Sequence, residues 1–130
     1  MAGALNTVAA YIFVSLVAVV CAFQVALAAG MPWGQLAMGG IYPGRLPPIL
    51  RILALGQIVI LAIMGCVVLA RSGLILEEWQ STSQKLVWGV VAVCGLSALA
   101  NLATRSRRER NVWAPVAVAL LICSIIVALG

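Results

Sequence analysis

The side chains able to do chemistry in this 130-residue chain are few: eight lysines and arginines, three acidic residues, four cysteines and no histidine. Without histidine the commonest general base and metal ligand is missing. Cys21, Cys66, Cys94 and Cys123 stand in four separate apolar stretches, with no Cys-x-x-Cys pair. Zinc sites and dithiol redox pairs need close ligand spacing, so these thiols read as small hydrophobes. Catalytic triads, zinc motifs and nucleotide loops all fail on residue type. The expectation is a protein that is not an enzyme and uses no metal and no cofactor. An enzyme acting on a lipid would have only Glu109 as an acid or base beside its basic residues.

The densest charge lies in Asn101-Leu-Ala-Thr-Arg-Ser-Arg-Arg-Glu-Arg-Asn-Val-Trp-Ala-Pro115, where Arg105, Arg107, Arg108 and Arg110 fall within six residues. Arginines at the end of an apolar helix suit anionic lipid headgroups and the negative pole of the helix dipole. A sharper alternative is specific phosphate binding by Arg105, Arg107 or Arg108, with Glu109 holding the guanidinium fork in position. The formal charge of +5 does not indicate nucleic acid. Such a module needs a basic face carrying base-reading or stacking groups, and these arginines are spread between apolar segments.

Three amides, Gln24, Gln57 and Asn101, are the ones that fall clearly within apolar stretches. Asn101 continues a stripe of Cys94, Ser97, Ala98, Thr104 and Arg105 at three- and four-residue steps, so it belongs to a narrow polar helix face turned into a bundle. Such amides serve either as interhelical glue, at about 1 kcal/mol or less each, or as the lining of a polar cavity that opens inward and is closed outward. No Asp, Glu, Lys or His lies well inside an apolar stretch, so a proton relay or ion-coupled site would lack its carrier.

The elements that must position these residues follow from composition. Hydrophobic residues make up 65% of the chain and charged residues 8%, against about 25% charged in soluble domains. A hydrocarbon core of about 30 Å takes roughly 20 helical residues, and four segments have that length: 4–29, 48–70, 84–104 and 112–129. The fold class expected is an all-α integral membrane protein, a single domain of four transmembrane helices in an up-down-up-down bundle. Gly30-Met31-Pro32 stops the first helix, and Pro47-Pro48 starts the second. Ser81 with Gln84 reads as a capping box for the third helix, and Asn111 as the cap of the fourth. Trp33, Trp79, Trp88 and Trp113 all fall close to an expected boundary, as an interfacial aromatic belt would. Ala26-Leu27-Ala28 resembles a signal-peptidase site, but its leading segment has no basic residue and a long apolar stretch; it is read as a retained helix.

Orientation follows from the basic residues. Arg45, Arg51, Arg105, Arg107, Arg108 and Arg110 share one side, and Arg71 and Lys85 the other. The positive-inside bias puts the two arginine-bearing loops in the cytoplasm and both termini outside. The first of these loops, residues 30–48, holds five glycines and four prolines. It is read as ordered, either as a connector or as a lid over a cytoplasm-facing pocket. The candidate binding residues on this face are Trp33, Arg45, Arg51, Asn101, Arg105, Arg107 and Arg108, with Gln24 and Gln57 as polar cavity residues.

Two motifs carry a resemblance. Gly30-Met31-Pro32-Trp33-Gly34, followed by Gly39-Gly40, Pro43-Gly44, Leu46-Pro47 and Arg51, is the first. Asn101, Thr104, Arg105, Ser106, Glu109, Arg110, Ala114 and Pro115 form the second. Together they resemble a family of small four-helix bacterial membrane proteins, frequent in Gram-positive genomes, for which no activity is established. The resemblance covers most of the chain from Gly30 onward and implies a multi-pass protein of the bacterial plasma membrane. Three functions are weighed. The first is a non-enzymatic bundle that binds membrane lipids, chiefly anionic headgroups of the inner leaflet, or a protein partner, with a homo-oligomer allowed. The second is an oligomeric small-solute transporter or channel. The third is an enzyme acting on lipid.

Overall fold

The computed structural model describes residues 2–37, 42 and 44–130. Part of the glycine–proline loop, with Gly39, Gly40 and Pro43 of the first motif, lies outside the described residues. Four helices account for most of the rest: α1 (Ala2–Ala28), α2 (Pro48–Arg71), α3 (Gln80–Ala103) and α4 (Arg107–Leu129). Each is long and apolar enough to cross a membrane. Short 3-10 turns at Gly34–Leu36 and Glu77–Trp79 lie in the first two connections. The helices pack in a ring, α1 on α2, α2 on α3, α3 on α4 and α4 back on α1, which is the up-down-up-down order. Gly130 abuts the side chain of Asn6, so both termini share one end of the bundle. The other end, where the α1–α2 and α3–α4 connections lie, is the loop end.

Helix ends are set by local chemistry. Gly30 has φ +97°, a conformation glycine adopts without a Cβ penalty. There the Gly30 N–H donates to the Leu27 carbonyl (3.1 Å) and the Met31 N–H to the Ala26 carbonyl (3.0 Å), the paired bonds of a Schellman stop. Gly73 closes α2 the same way, with Leu74 N–H to Leu69 O at 3.0 Å. Pro48 occupies the first position of α2.

The fourth helix differs from expectation. It begins at Arg107, five residues before the expected 112, because Ser106 and not Asn111 is its cap. The Ser106 Oγ accepts the Glu109 N–H at 3.2 Å, one half of the capping-box pattern, while the Ser106 N–H donates to the Thr104 hydroxyl at 3.3 Å. Asn111 and Pro115 therefore lie inside the helix. The expected Ser81–Gln84 box is not used either. Trp79 is the N-cap of α3 without a side-chain bond, and Ser81 and Gln84 fall in the first turns.

Packing differs between the two ends. The main core joins Phe13 and Val17 of α1, Leu61, Met64 and Val68 of α2, Val87, Val90 and Cys94 of α3, and Leu120, Cys123 and Val127 of α4. Most of these lie in the half nearer the termini, with Val17 and Cys94 just past mid-helix toward the loop end. Small residues allow close approach there; Ala9, Ala10 and Ala128 are buried, and so is Ser124, whose hydroxyl donates back to the Leu121 carbonyl. At the loop end, among the described residues, a smaller cluster of Leu27, Leu46 and Ala54 ties α1, the loop and α2 together.

Candidate functional site

Where the main core stops, the bundle encloses a cavity of about 570 Å³, within the roughly 300–1,000 Å³ range of small-molecule pockets. Val20, Phe23, Gln24 and Leu27 of α1 form one wall, and Leu53, Ala54, Gly56, Gln57, Ile60 and Leu61 of α2 a second. Ser97 and Asn101 of α3 and Glu109, Trp113, Val116, Ala117 and Leu120 of α4 complete it, with Leu36, Ala37 and Leu46 of the first connection at its loop end. Leu53, Gly56, Gln57 and Ile60 on α2 and Ser97 on α3 are exposed. The cavity thus opens sideways between α2 and α3, toward the bilayer.

Three amides from three helices meet in this space. At 1.5 Å per residue, Asn101 lies about 3 Å, Gln24 about 6 Å and Gln57 about 14 Å inside the helix ends at the loop side, the last near the middle of a 30 Å core. Asn101 uses its Nδ2 on the Ser97 carbonyl (2.7 Å) and the Ser97 hydroxyl (3.3 Å), which leaves its Oδ1 as a free acceptor. Among the described residues, neither Gln24 nor Gln57 has a hydrogen-bond partner in the chain. An amide unpaired in an apolar medium costs about 2–7 kcal/mol, so these two call for a partner from outside the chain.

An aromatic column stands at the loop end of the cavity. Phe23 stacks on Trp33 with ring centroids 6.4 Å apart and planes 5° from parallel. On Phe23's other contact, Trp113 lies 4.7 Å away at 54°. Trp33 thus pins the first connection to α1. Trp113 is half-buried against Phe23 and lines the cavity. Its Nε1 is buried with no hydrogen-bond partner among the described residues.

The arginines do not line the cavity. Arg51, in the first turns of α2, donates from Nε to the Ala28 carbonyl at 2.9 Å, and Arg45 from Nε to the Gly30 carbonyl at 2.9 Å. Both satisfy acceptors left open at the end of α1. Arg110 does the same for α3, through Nη1 to the Thr104 carbonyl at 3.2 Å. Arg105, Arg107 and Arg108 are exposed at the loop end, outside the lining. Glu109 reaches the cavity's edge, where its carboxylate accepts the Thr104 hydroxyl at 3.1 Å.

Of the residues singled out in the sequence, Gln24, Gln57 and Asn101 line one cavity; Trp33 stacks on its wall residue Phe23, and the arginines lie outside the lining. Phe23 carried no signal, being one aromatic among apolar neighbours. Ser97 and Trp113 were visible as a stripe member and a belt member, without any hint of a shared cavity. The four cysteines are unpaired, and Cys94 and Cys123 sit buried beside Ser124. A second depression of about 250 Å³ lies between α2 and α3 nearer the termini, lined by residues such as Ile63, Cys66, Leu76 and Leu86; it has the apolar character of a lipid-facing groove. Compared with family models, curated proteins and solved structures, the chain finds no match, so function is argued from its own residues.

Proposed function

We propose that this protein is a non-enzymatic binder of a membrane amphiphile, held in the loop-end cavity between α2 and α3. The observation that carries the reading is the convergence of Gln24, Gln57 and Asn101 in a mostly apolar space open toward the bilayer. Apolar walls with a few convergent polar groups are the usual composition of a ligand pocket. The exposed Arg105, Arg107 and Arg108 hold anionic headgroups of the surrounding leaflet around the rim. Six of the eight basic residues fall at this end, which supports a cytoplasmic position for it and outward-facing termini. The two motifs support a bacterial plasma membrane as the location.

An oligomeric transporter or channel would need a continuous path; the packed half around Phe13, Val68 and Val127 closes the one through a single bundle, so such a path would run between copies. A flux of small solutes in liposomes, absent from empty ones, would favour that alternative. The direct test of the binding role uses Gly56, which lines the cavity and has open space where a Cβ would go. A Cβ there meets no backbone, so Gly56→Phe is chosen to place a ring at the cavity wall. Protein purified in mild detergent is expected to yield one small amphiphile enriched over bulk lipid on extraction, and Gly56→Phe none. Identical extracts from both proteins would contradict the reading.

A further inference from the structure

We infer that the cavity selects an uncharged amphiphile whose polar end carries hydroxyl groups, and that this ligand enters sideways from the bilayer past Gln57; the inference rests on the binding role proposed above. The first ground is the donor–acceptor balance of the wall. Gln24 and Gln57 each offer two N–H donors and a carbonyl acceptor, with no partner among the described residues. Asn101 has spent its N–H groups on Ser97 and offers only an acceptor. The wall therefore presents four N–H donors and three carbonyl acceptors. A carboxylate or phosphate has lone pairs only, and would pair with the N–H groups but leave all three carbonyl oxygens unsatisfied. A quaternary ammonium has neither donor nor acceptor. A hydroxyl both donates and accepts, and a diol does so twice.

The second ground is the location of charge. Arg45 and Arg51 are held on the carbonyls of Gly30 and Ala28, turned from the cavity to the end of α1. Gln57, the deepest of the three amides, lies about 14 Å from the loop-side end of its helix, where an ionised head would have to be desolvated. Glu109, the one ionisable group in the lining among the described residues, stands at the edge and is engaged with Thr104.

The third ground is the opening. Gln57 and Gly56 are exposed on α2 and Ser97 on α3, and these are the residues between which the space meets lipid. A ligand moving in from the leaflet passes Gln57 first and reaches Gln24 behind it. Its chain then lies against Val20, Ile60 and Leu120.

Three ligands with one ten-carbon chain separate the outcomes: monodecanoylglycerol, decanoate and decyltrimethylammonium. Each is titrated calorimetrically into the full-length protein in phosphatidylcholine nanodiscs, with empty nanodiscs subtracted. The glyceride is expected to bind at least tenfold more tightly than either charged ligand. Gln57→Leu, an exposed position that leaves the core untouched, should reduce that preference to threefold or less. Decanoate binding as tightly as the glyceride would overturn the hydroxyl selectivity and leave the binding role intact. Saturable binding of none of the three would overturn both. A preference unchanged in Gln57→Leu and in Gln24→Leu would show that the amides do not set it.

Discussion

Arg51 Nε lies 2.9 Å from the carbonyl oxygen of Ala28, so a charged side chain from the start of α2 closes the end of α1. In a membrane protein this matters more than in water, because a terminal carbonyl near the hydrocarbon edge has fewer water partners. The same role falls to Arg45 on Gly30 and to Arg110 on Thr104. Arg51→Met is expected to lower stability by about 1.5–3 kcal/mol, the range for a hydrogen bond to a charged group. Arg107→Met, at an exposed position, should stay within about 0.5 kcal/mol. Denaturant unfolding in detergent micelles measures both, and equal losses would show that Arg51 acts only as a surface charge.

The start of α4 gives a second prediction. Ser106→Ala removes the acceptor for the Glu109 N–H and should cost about 1 kcal/mol. Glu109→Gln keeps a side chain able to complete the capping box, so its loss should be smaller. Unfolding midpoints of the two variants decide the order. A larger loss in Glu109→Gln would mean that the carboxylate's charge, and not the cap, holds the helix start.

The four spans were legible because apolar length alone determines them, and Pro48 and Gly30 mark their edges by backbone chemistry. The position of α4 was harder to read, since Ser106 and Glu109 sit among arginines and look like part of a phosphate site. An arginine beside a helix end suits a lipid headgroup and a free carbonyl equally well in sequence; only geometry places Arg51 on Ala28. The amides were conspicuous as polar residues in apolar stretches. That they meet depends on the separation of α2 from α3 at the loop end, a packing outcome with no local signal. Trp113 illustrates the same limit: its distance from a boundary suggested the interface and gave no sign of its contact with Phe23.

The contrast between the two halves is itself testable. Phe13 is fully buried in the half near the termini, whereas Leu53 on the cavity wall is 54% exposed. Phe13→Ala should cost about 3–5 kcal/mol, and Leu53→Ala should leave stability nearly unchanged while weakening ligand binding. Thermal unfolding in the same lipid gives the comparison. A substantial loss for Leu53→Ala would mean that the loop-end half is packed as tightly as the other.

The account turns on whether a particular molecule occupies the space beside Gln57. A photoreactive diazirine side chain placed at Ile60, which lines the cavity one turn from Gln57 and leaves the amides in place, and in a second protein at the exposed position of Leu99, can be activated by light in intact membranes, and the adducts weighed by mass spectrometry. Position 60 is expected to give one dominant adduct of a neutral, hydroxyl-bearing amphiphile, and position 99 the mixture of bulk lipids. The same bulk mixture at both positions would contradict the account.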